Sequence, residues 1–244
     1  MYSFGSIVGG IYMITLFHGS DKIIERPYYG GSRDNNDNGN GFYCSESSDL
    51  AREWSVDENR DGFLNCYELD TDCLRVLRLC GGRYSILHWL AILLENRKFQ
   101  ITSKLAREAK RYLLEQFSVP YKDSDILIGY RADDSYFAFA NDFLNGTISL
   151  RQLEEAMYLG KLGEQVVLKS EESYRHIRFL EYEPVDAAVW YPRRKDRDQS
   201  ARQRYFQQDR DGWRSARKVP DTDEKAGKNT HWSRWLQRVY TPIV

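Results

Sequence analysis

Three short segments of the chain carry side chains that can act together on a small molecule. Residues 16–20 end a hydrophobic strand pattern in polar residues, residues 39–43 place an aromatic ring beside two glycines, and residues 163–168 open a β-branched strand with a carboxylate. A histidine hydrogen-bonds hydroxyl groups, a tyrosine ring stacks on a flat cation, and a carboxylate stabilises positive charge as a glycosidic bond breaks. The candidate residues for such chemistry are His18, Tyr43 and Glu164.

These segments resemble the NAD-binding elements of the His-Tyr-Glu branch of ADP-ribosyltransferases, which includes diphtheria toxin and the poly-ADP-ribose polymerases. The chain is more similar still to a bacterial family of unknown function with a transferase-like fold. That resemblance runs from about Met13 to Tyr191 through Leu-Phe-His-Gly-Ser, Gly-Phe-Tyr-Cys-Ser, Leu-His-Trp-Leu, Gly-Tyr-Arg-Ala-Asp-Asp and Leu-Gly-Lys-Leu-Gly-Glu-Gln-Val-Val-Leu. It implies an α+β fold in which two small packed β-sheets and flanking helices hold NAD as co-substrate.

The resemblance assigns roles to residues of the first two segments. It implies that His18 binds the hydroxyl groups of the adenosine-side ribose, and that the Gly19 backbone, next to Ser20, bonds the nicotinamide amide. Glycine permits such a close backbone approach. Tyr43 is implied to stack on the cationic nicotinamide ring, an interaction of roughly 0.5–2 kcal/mol. Taken singly, the histidine and the tyrosine are instead expected in the core.

Trp54 and Glu164 complete the implied site, and two positions depart from the polymerase pattern. Trp54 aligns with the second stacking aromatic residue, where tyrosine is usual, and Ala51 stands where a serine bonds the nicotinamide amide. Glu164 is implied to stabilise the oxocarbenium-like ribose, whereas a glutamate that opens a strand is more often a surface residue. Leu162 is not the second glutamate of the arginine-modifying transferases.

Arg131 lies between a predicted buried strand and a predicted helix, in the run Arg-Ala-Asp-Asp. A guanidinium group there can face the pyrophosphate of NAD or the acceptor, since its planar fork fits phosphate and carboxylate groups. The same run can instead cap the helix through Asp133 or Asp134. The sequence leaves both interpretations open.

At 244 residues with 41% hydrophobic content, the chain is long enough for one sizeable core. Irregularly alternating strands and helices favour an α+β class. The predicted organisation is an N-terminal extension at 1–12, a transferase-like domain at 13–192 and a basic tail at 193–244. Predicted strands cover 13–18, 63–69, 73–79, 125–130, 165–169 and 176–182. Predicted helices cover 45–54, 84–94, 101–117, 134–144, 150–159 and 193–218, with a loop at 27–41.

Charge is distributed unevenly, although the whole chain carries only −1. Residues 193–244 hold 14 Lys and Arg against 7 Asp and Glu, a net +7, so residues 1–192 carry −8. The aromatic residues of this tail that could stack or pack are Tyr205, Trp213, Trp232, Trp235 and Tyr240. Such a segment can dock on its own acidic domain, bind a partner protein or bind nucleic acid. The clustering of aromatic residues near the end slightly favours packing or a protein partner.

Residues 57–68 match the spacing of a calcium-binding loop. A working EF-hand needs a helix after the loop, and residues 63–69 have the pattern of a strand. A hairpin turn at Asp61 and Gly62 is therefore preferred. Four scattered histidines and four cysteines without close pairs predict reduced thiols and no metal site.

The sequence thus favours a bacterial NAD-dependent ADP-ribosyltransferase that modifies an unknown protein or nucleic-acid acceptor. The alternatives are an NAD glycohydrolase with the same pocket and a non-catalytic binding module. Family context suggests a toxin or defence effector restrained by an inhibitory partner protein. No segment reaches the ~18 apolar residues that span a bilayer. The uncharged first 17 residues lack a basic n-region, so the expected location is the cytoplasm.

Overall fold

Hydrophobic periodicity and capping residues determine the regular elements of the chain. In the computed structural model, the described residues are 7–8, 11–32, 35–80, 83–101, 103–131, 134–159 and 163–216. The strands are β1 (Ile7–Val8), β2 (Ile11–Ser20), β3 (Phe42–Ser45), β4 (Gly62–Asp70), β5 (Val76–Arg78), β6 (Ile126–Tyr130), β7 (Glu164–Leu168) and β8 (Ile177–Val185). The helices are α1 (Ser48–Ser55), α2 (Ile86–Asn96), α3 (Lys104–Gln116), α4 (Asp134–Leu144), α5 (Leu150–Leu159), α6 (Glu171–Arg175) and α7 (Ala187–Ala216).

The predicted element types are confirmed, and α4 and α5 have the predicted bounds. Ser47, one of the two predicted N-caps of α1, accepts a hydrogen bond at Oγ from Leu50 N (3.4 Å). β5 is shorter than predicted because a turn precedes it, in which Cys73 has a φ of 61°. β3 and α6 are absent from the sequence-based prediction. β2 begins at Ile11, and β1 pairs antiparallel with its start, so both β1 and the first residues of β2 fall within the predicted extension at 1–12. The rest of that extension lies outside the described residues.

The strands form one sheet in the order β5-β6-β7-β3-β2-β4-β8, parallel between β5 and β6 and antiparallel elsewhere. β2 meets β3 at a single residue pair, Phe17 with Ser45, whereas β2 pairs with β4 from Met13 to Ser20. The sheet is therefore nearly divided between β2 and β3. The α+β class is confirmed, but one nearly divided sheet is present in place of the two packed sheets expected.

The apolar face of α2 packs in one hydrophobic core with residues of β6 and β7. Trp89, Leu90 and Leu93 are fully buried at helical spacing. Burial of each such side chain contributes roughly 1.5–3 kcal/mol. Trp89 Nε1 also donates a hydrogen bond to Tyr130 O (3.0 Å). This bond holds the end of β6, from which Arg131 follows.

A tight turn, not a calcium loop, connects α1 with β4. Asp57 and Arg60 exchange backbone hydrogen bonds of 3.0 and 3.2 Å, which places the turn at residues 58–59 instead of the predicted Asp61 and Gly62. β4 follows directly, where an EF-hand requires a helix. Asp61 Oδ1 accepts a hydrogen bond from Ala187 N (2.8 Å) and caps α7. Within the described residues, no three His, Cys, Asp or Glu side chains are placed to hold a metal ion.

α7 is one helix that runs through Pro192, the predicted end of the domain. It contacts α1 and α5. Arg197 forms an ion pair with Glu53, and Arg194 Nη1 donates to Val56 O (3.3 Å). The first part of the predicted tail therefore packs on the domain. Trp232, Trp235 and Tyr240 lie outside the described residues, as do the side chains of Tyr205 and Trp213. Among the helices described, none is long and apolar enough to cross a bilayer.

Candidate functional site

A cavity of about 750 Å³ lies where β2 and β3 separate. This volume is in the range of small-molecule sites, roughly 300–1,000 Å³. Of the seven residues predicted to bind or act on NAD, six line the cavity: His18, Gly19, Ser20, Tyr43, Trp54 and Arg131. These residues come from β2, β3, α1 and the end of β6. The fold therefore assembles most of the predicted site from segments that are distant in sequence.

His18, near the end of β2, is held as a single neutral tautomer. Its ring stacks on Phe42, with the ring centroids 4.4 Å apart. Its Nδ1 lies 2.7 Å from Tyr43 O. A carbonyl oxygen can only accept, so Nδ1 carries the proton and donates. Burial lowers the pKa of His18 below 6.5, which leaves the ring uncharged at pH 7. Nε2 is then a hydrogen-bond acceptor, suited to a ligand hydroxyl group.

The lowered pKa of His18 predicts a pH dependence of stability. The unfolded chain takes up the proton near pH 6.5, before the folded chain does, so the free energy of unfolding should fall as the pH drops below 6.5. Urea unfolding of wild type and His18→Gln at several pH values measures this effect. The stability difference between the two proteins should narrow from pH 7 to pH 5. A constant difference would show that His18 is not buried in neutral form.

Tyr43 forms an ordered aromatic wall of the cavity. Its hydroxyl donates to Gly39 O (2.6 Å) and accepts from Asn38 N (3.1 Å). Burial raises the pKa of this phenol well above 10, so it stays neutral. Lys169, just after β7, donates from Nζ to the carbonyl groups of Asn38 (2.6 Å) and Asn40. The glycine-containing loop before β3 is therefore held from two sides, and it keeps the Tyr43 ring in place.

Gly19 allows α1 to lie directly on β2. A methyl group at this position would lie 1.9 Å from Ala51 O and 2.8 Å from Ser55 N. Only glycine lets the two backbones approach so closely. Because α1 packs on β2, Trp54 on the same helix lies at the cavity. Ser20 Oγ accepts a hydrogen bond from Lys22 N (3.2 Å), so it shapes the turn at the cavity rim.

The ring of Trp54 is engaged by two arginines. The guanidinium carbon of Arg131 lies 4.8 Å from the Trp54 ring centroid, and that of Arg194 lies 4.5 Å from it. Such cation–π contacts contribute about 0.5–2 kcal/mol each. A cationic nicotinamide that stacked on this ring, as the resemblance implies, would compete with these guanidinium groups. The geometry makes Trp54 a support for Arg131 at the cavity wall.

Among the described residues that line it, the cavity carries a small excess of positive charge. Arg97 at the end of α2 pairs with Asp37 through a 2.8 Å hydrogen bond, and its guanidinium lies 4.4 Å from the Phe137 ring. Arg131 is the other arginine among the described lining residues. With His18 neutral, these groups sum to +1, which favours an anionic ligand. The predicted helix caps, Asp133 and the side chain of Asp134, lie outside the described region.

The carboxylate of Glu164 is the predicted group that does not reach the cavity. Glu164 opens β7, pairs with Arg78 of β5 and is absent from the residues that line the cavity. The next residue, Gln165, lines it, is 2% exposed and donates from Nε2 to Tyr130 O (3.1 Å). Successive strand residues point to opposite faces. The structure thus places an amide in the cavity where the sequence predicts a carboxylate.

Sequence reasoning missed Gln165, Asp37 and Arg97. Alternation in β7 places residues 165 and 167 on one face, but only the pairing of Val167 with Tyr43 in the sheet shows that this face meets the cavity. The other two residues are 60 positions apart and meet only through tertiary packing. No local pattern connects a loop residue with the end of a distant helix.

Comparison with known proteins identifies a family for this chain. Residues 14–179 match the family described as "Protein of unknown function (DUF3990)". Neither a curated protein nor a solved structure matches. The matched region includes every described residue that lines the cavity. Because it spans 166 of the 244 residues, the chain belongs to the DUF3990 family.

Proposed function

We propose that the chain is an NAD-dependent ADP-ribosyltransferase with an ADP-ribosyltransferase-like fold. One observation carries this proposal: six residues predicted to bind or act on NAD, spread between positions 18 and 131, line a single cavity. The acceptor is an unknown protein or nucleic acid. A cytoplasmic toxin or defence role, with an inhibitory partner protein, belongs to the same proposal and rests on the family resemblance alone.

The hydrogen-bonding groups of the cavity complement those of NAD. His18 Nε2 accepts from a ribose hydroxyl, the guanidinium groups of Arg97 and Arg131 attract the pyrophosphate, and the Tyr43 ring packs on the nicotinamide. In the proposed reaction, the bond between ribose C1′ and the nicotinamide nitrogen breaks, and its electron pair leaves with nicotinamide. The acceptor nucleophile then bonds C1′ and releases a proton.

The shape of the sheet supports the proposed fold. Strands β5, β6, β7 and β3 form one group, and β2, β4 and β8 form the other. The groups meet at the single pair of Phe17 with Ser45. The cavity opens where they separate, so residues from both groups can contact one ligand.

Tyr43→Ala is expected to weaken NAD binding, because it removes the aromatic wall and the anchor of the preceding loop. NAD at about 100 times its Kd adds roughly 2.7 kcal/mol to the stability of wild type, or about 5–10 °C in Tm. The variant should show a clearly smaller NAD-dependent rise. Tyr182→Ala is the matched control, since Tyr182 is 49% exposed on β8 and does not line the cavity. An equal rise in wild type and Tyr43→Ala would contradict the proposal.

Labelled NAD tests the reaction itself. After incubation of the protein with NAD and cell lysate, the proposal expects nicotinamide release and label on protein or nucleic acid. Label found only in free ADP-ribose would identify an NAD glycohydrolase. Binding of NAD with no turnover would identify a non-catalytic module.

The non-catalytic alternative is favoured by one observation. Among the described residues that line the cavity, Asp37 supplies the carboxylate, and that carboxylate is paired with Arg97. A carboxylate neutralised in this way gives little stabilisation to an oxocarbenium-like ribose. Binding without turnover therefore has a structural basis in this chain.

A further inference from the structure

We infer that Gln165, and not Glu164, is the β7 residue that positions the ribose of the bound nucleotide. This inference rests on the proposed binding of NAD and adds the residue that orients it. Gln165 is the buried polar side chain of β7 that lines the cavity. Its Cα is paired with Ser45 of β3 on one side and Gly129 of β6 on the other. The side chain therefore projects from a strand that is paired on both sides.

The hydrogen bonds around Gln165 set the orientation of its amide. Nε2 donates to Tyr130 O (3.1 Å), a carbonyl that also accepts from Trp89 Nε1 (3.0 Å). A carbonyl oxygen cannot donate, so the amide must present its nitrogen to Tyr130. This leaves Oε1 as the acceptor on the cavity side. His18 Nε2 is a second acceptor in the same cavity. Two acceptors suit a ligand with hydroxyl donors, such as a ribose.

An amide at position 165 affects how well the site can stabilise the cleavage of the nicotinamide bond. Oε1 of Gln165 can orient a ribose hydroxyl, but it carries no negative charge. It therefore gives less stabilisation than a carboxylate to the positive charge that develops at C1′. Glu164 does not supply that charge, because it is paired with Arg78 away from the cavity lining. We therefore expect the chain to bind NAD and to release nicotinamide slowly.

Substitutions at the two neighbouring positions test the inference. We expect Gln165→Met, which keeps the length and removes the hydrogen bonds, to weaken NAD binding about fivefold. Glu164→Gln should leave NAD affinity and nicotinamide release close to wild type. Gln165→Glu should raise the rate of nicotinamide release on the order of tenfold. The rate of that variant should increase with pH, because the Tyr130 carbonyl and burial disfavour the ionised carboxylate.

Calorimetric titration with NAD, single-turnover nicotinamide release between pH 6 and 9, and circular dichroism separate the outcomes. Circular dichroism shows which variants fold, and Gln165→Glu remains informative if Gln165→Met does not. A hundredfold loss of release in Glu164→Gln, with wild-type behaviour of the Gln165 variants, would overturn this inference and leave the proposed function intact. Absence of NAD binding by the wild-type protein would overturn both.

Discussion

Gly19→Ala is expected to lower the free energy of unfolding by about 3 kcal/mol, the upper end for an overpacked site. The new methyl group would lie 1.9 Å from Ala51 O and 2.8 Å from Ser55 N, and both atoms belong to the α1 backbone. A flexible side chain could turn away, but a helix backbone must move as a unit. The corresponding fall in Tm is roughly 6–12 °C, measurable by thermal and urea unfolding. NAD binding should weaken as well, because a displaced α1 carries Trp54 away from the cavity.

Gly31→Ala is the matched control for the stability measurement. Its methyl group would lie 2.8 Å from the ring of Tyr28, a contact that is also too short. However, the Tyr28 side chain is 72% exposed and can rotate into solvent. The expected change in unfolding free energy is within about 0.5 kcal/mol. If Gly19→Ala unfolds at the wild-type midpoint, β2 and α1 do not meet as described.

Gly19 also shows how far sequence reasoning reached. The resemblance assigns its backbone to the nicotinamide amide, and Gly19 does line the cavity. The structure adds a second reason for a glycine at position 19. The backbone of α1 occupies the space into which a Cβ atom would project. That reason depends on how α1, which begins at Ser48, packs on the strand. Such packing leaves no trace in the segment around Gly19.

The strand β7 shows a second limit of prediction from the sequence. The β-branched run predicts a strand, and the strand is present with both bounds one residue earlier than predicted. Which side chains face the cavity depends on the pairing of β7 with β3 and β6. A strand repeats every two residues, so an error of one position exchanges the two faces. For this reason the prediction selected the correct strand while the cavity receives Gln165 instead of Glu164.

The end of the domain was predicted from a proline and from a change in charge. Pro192 cannot donate a backbone hydrogen bond, which makes it a reasonable helix boundary. In the structure it is the sixth residue of α7, and the helix continues. Ala187 and Ala201 are buried on either side of it, and Arg197 reaches Glu53 on α1. This tertiary packing offsets the lost hydrogen bond, and no local signal reveals it.

Arg197→Met is expected to destabilise the protein by about 3 kcal/mol, because it leaves the Glu53 carboxylate buried without its partner. The side chains of Arg197 and Glu53 are 18% and 11% exposed, so solvent screens the pair only weakly. Burial already holds the pKa of Glu53 above 4.5 against the opposing effect of Arg197. Without the arginine this pKa should rise further. An acid whose folded-state pKa is raised costs stability as the pH rises through that pKa. The stability deficit of Arg197→Met should therefore be small near pH 4.5 and grow toward pH 7.

The double variant Glu53→Gln/Arg197→Met separates charge from packing in this contact. Within the described residues, Nε and Nη1 of Arg197 are buried and have no hydrogen-bond partner, so the ion pair is incompletely satisfied. Replacing an incompletely satisfied buried pair with neutral side chains costs little. The double variant should regain most of the lost stability and show no pH-dependent deficit from Glu53. Urea unfolding at pH 4.5, 5.5 and 7 measures all three proteins. A deficit in Arg197→Met that is the same at every pH would mean that α7 is held on α1 by packing and not by the charge of this pair.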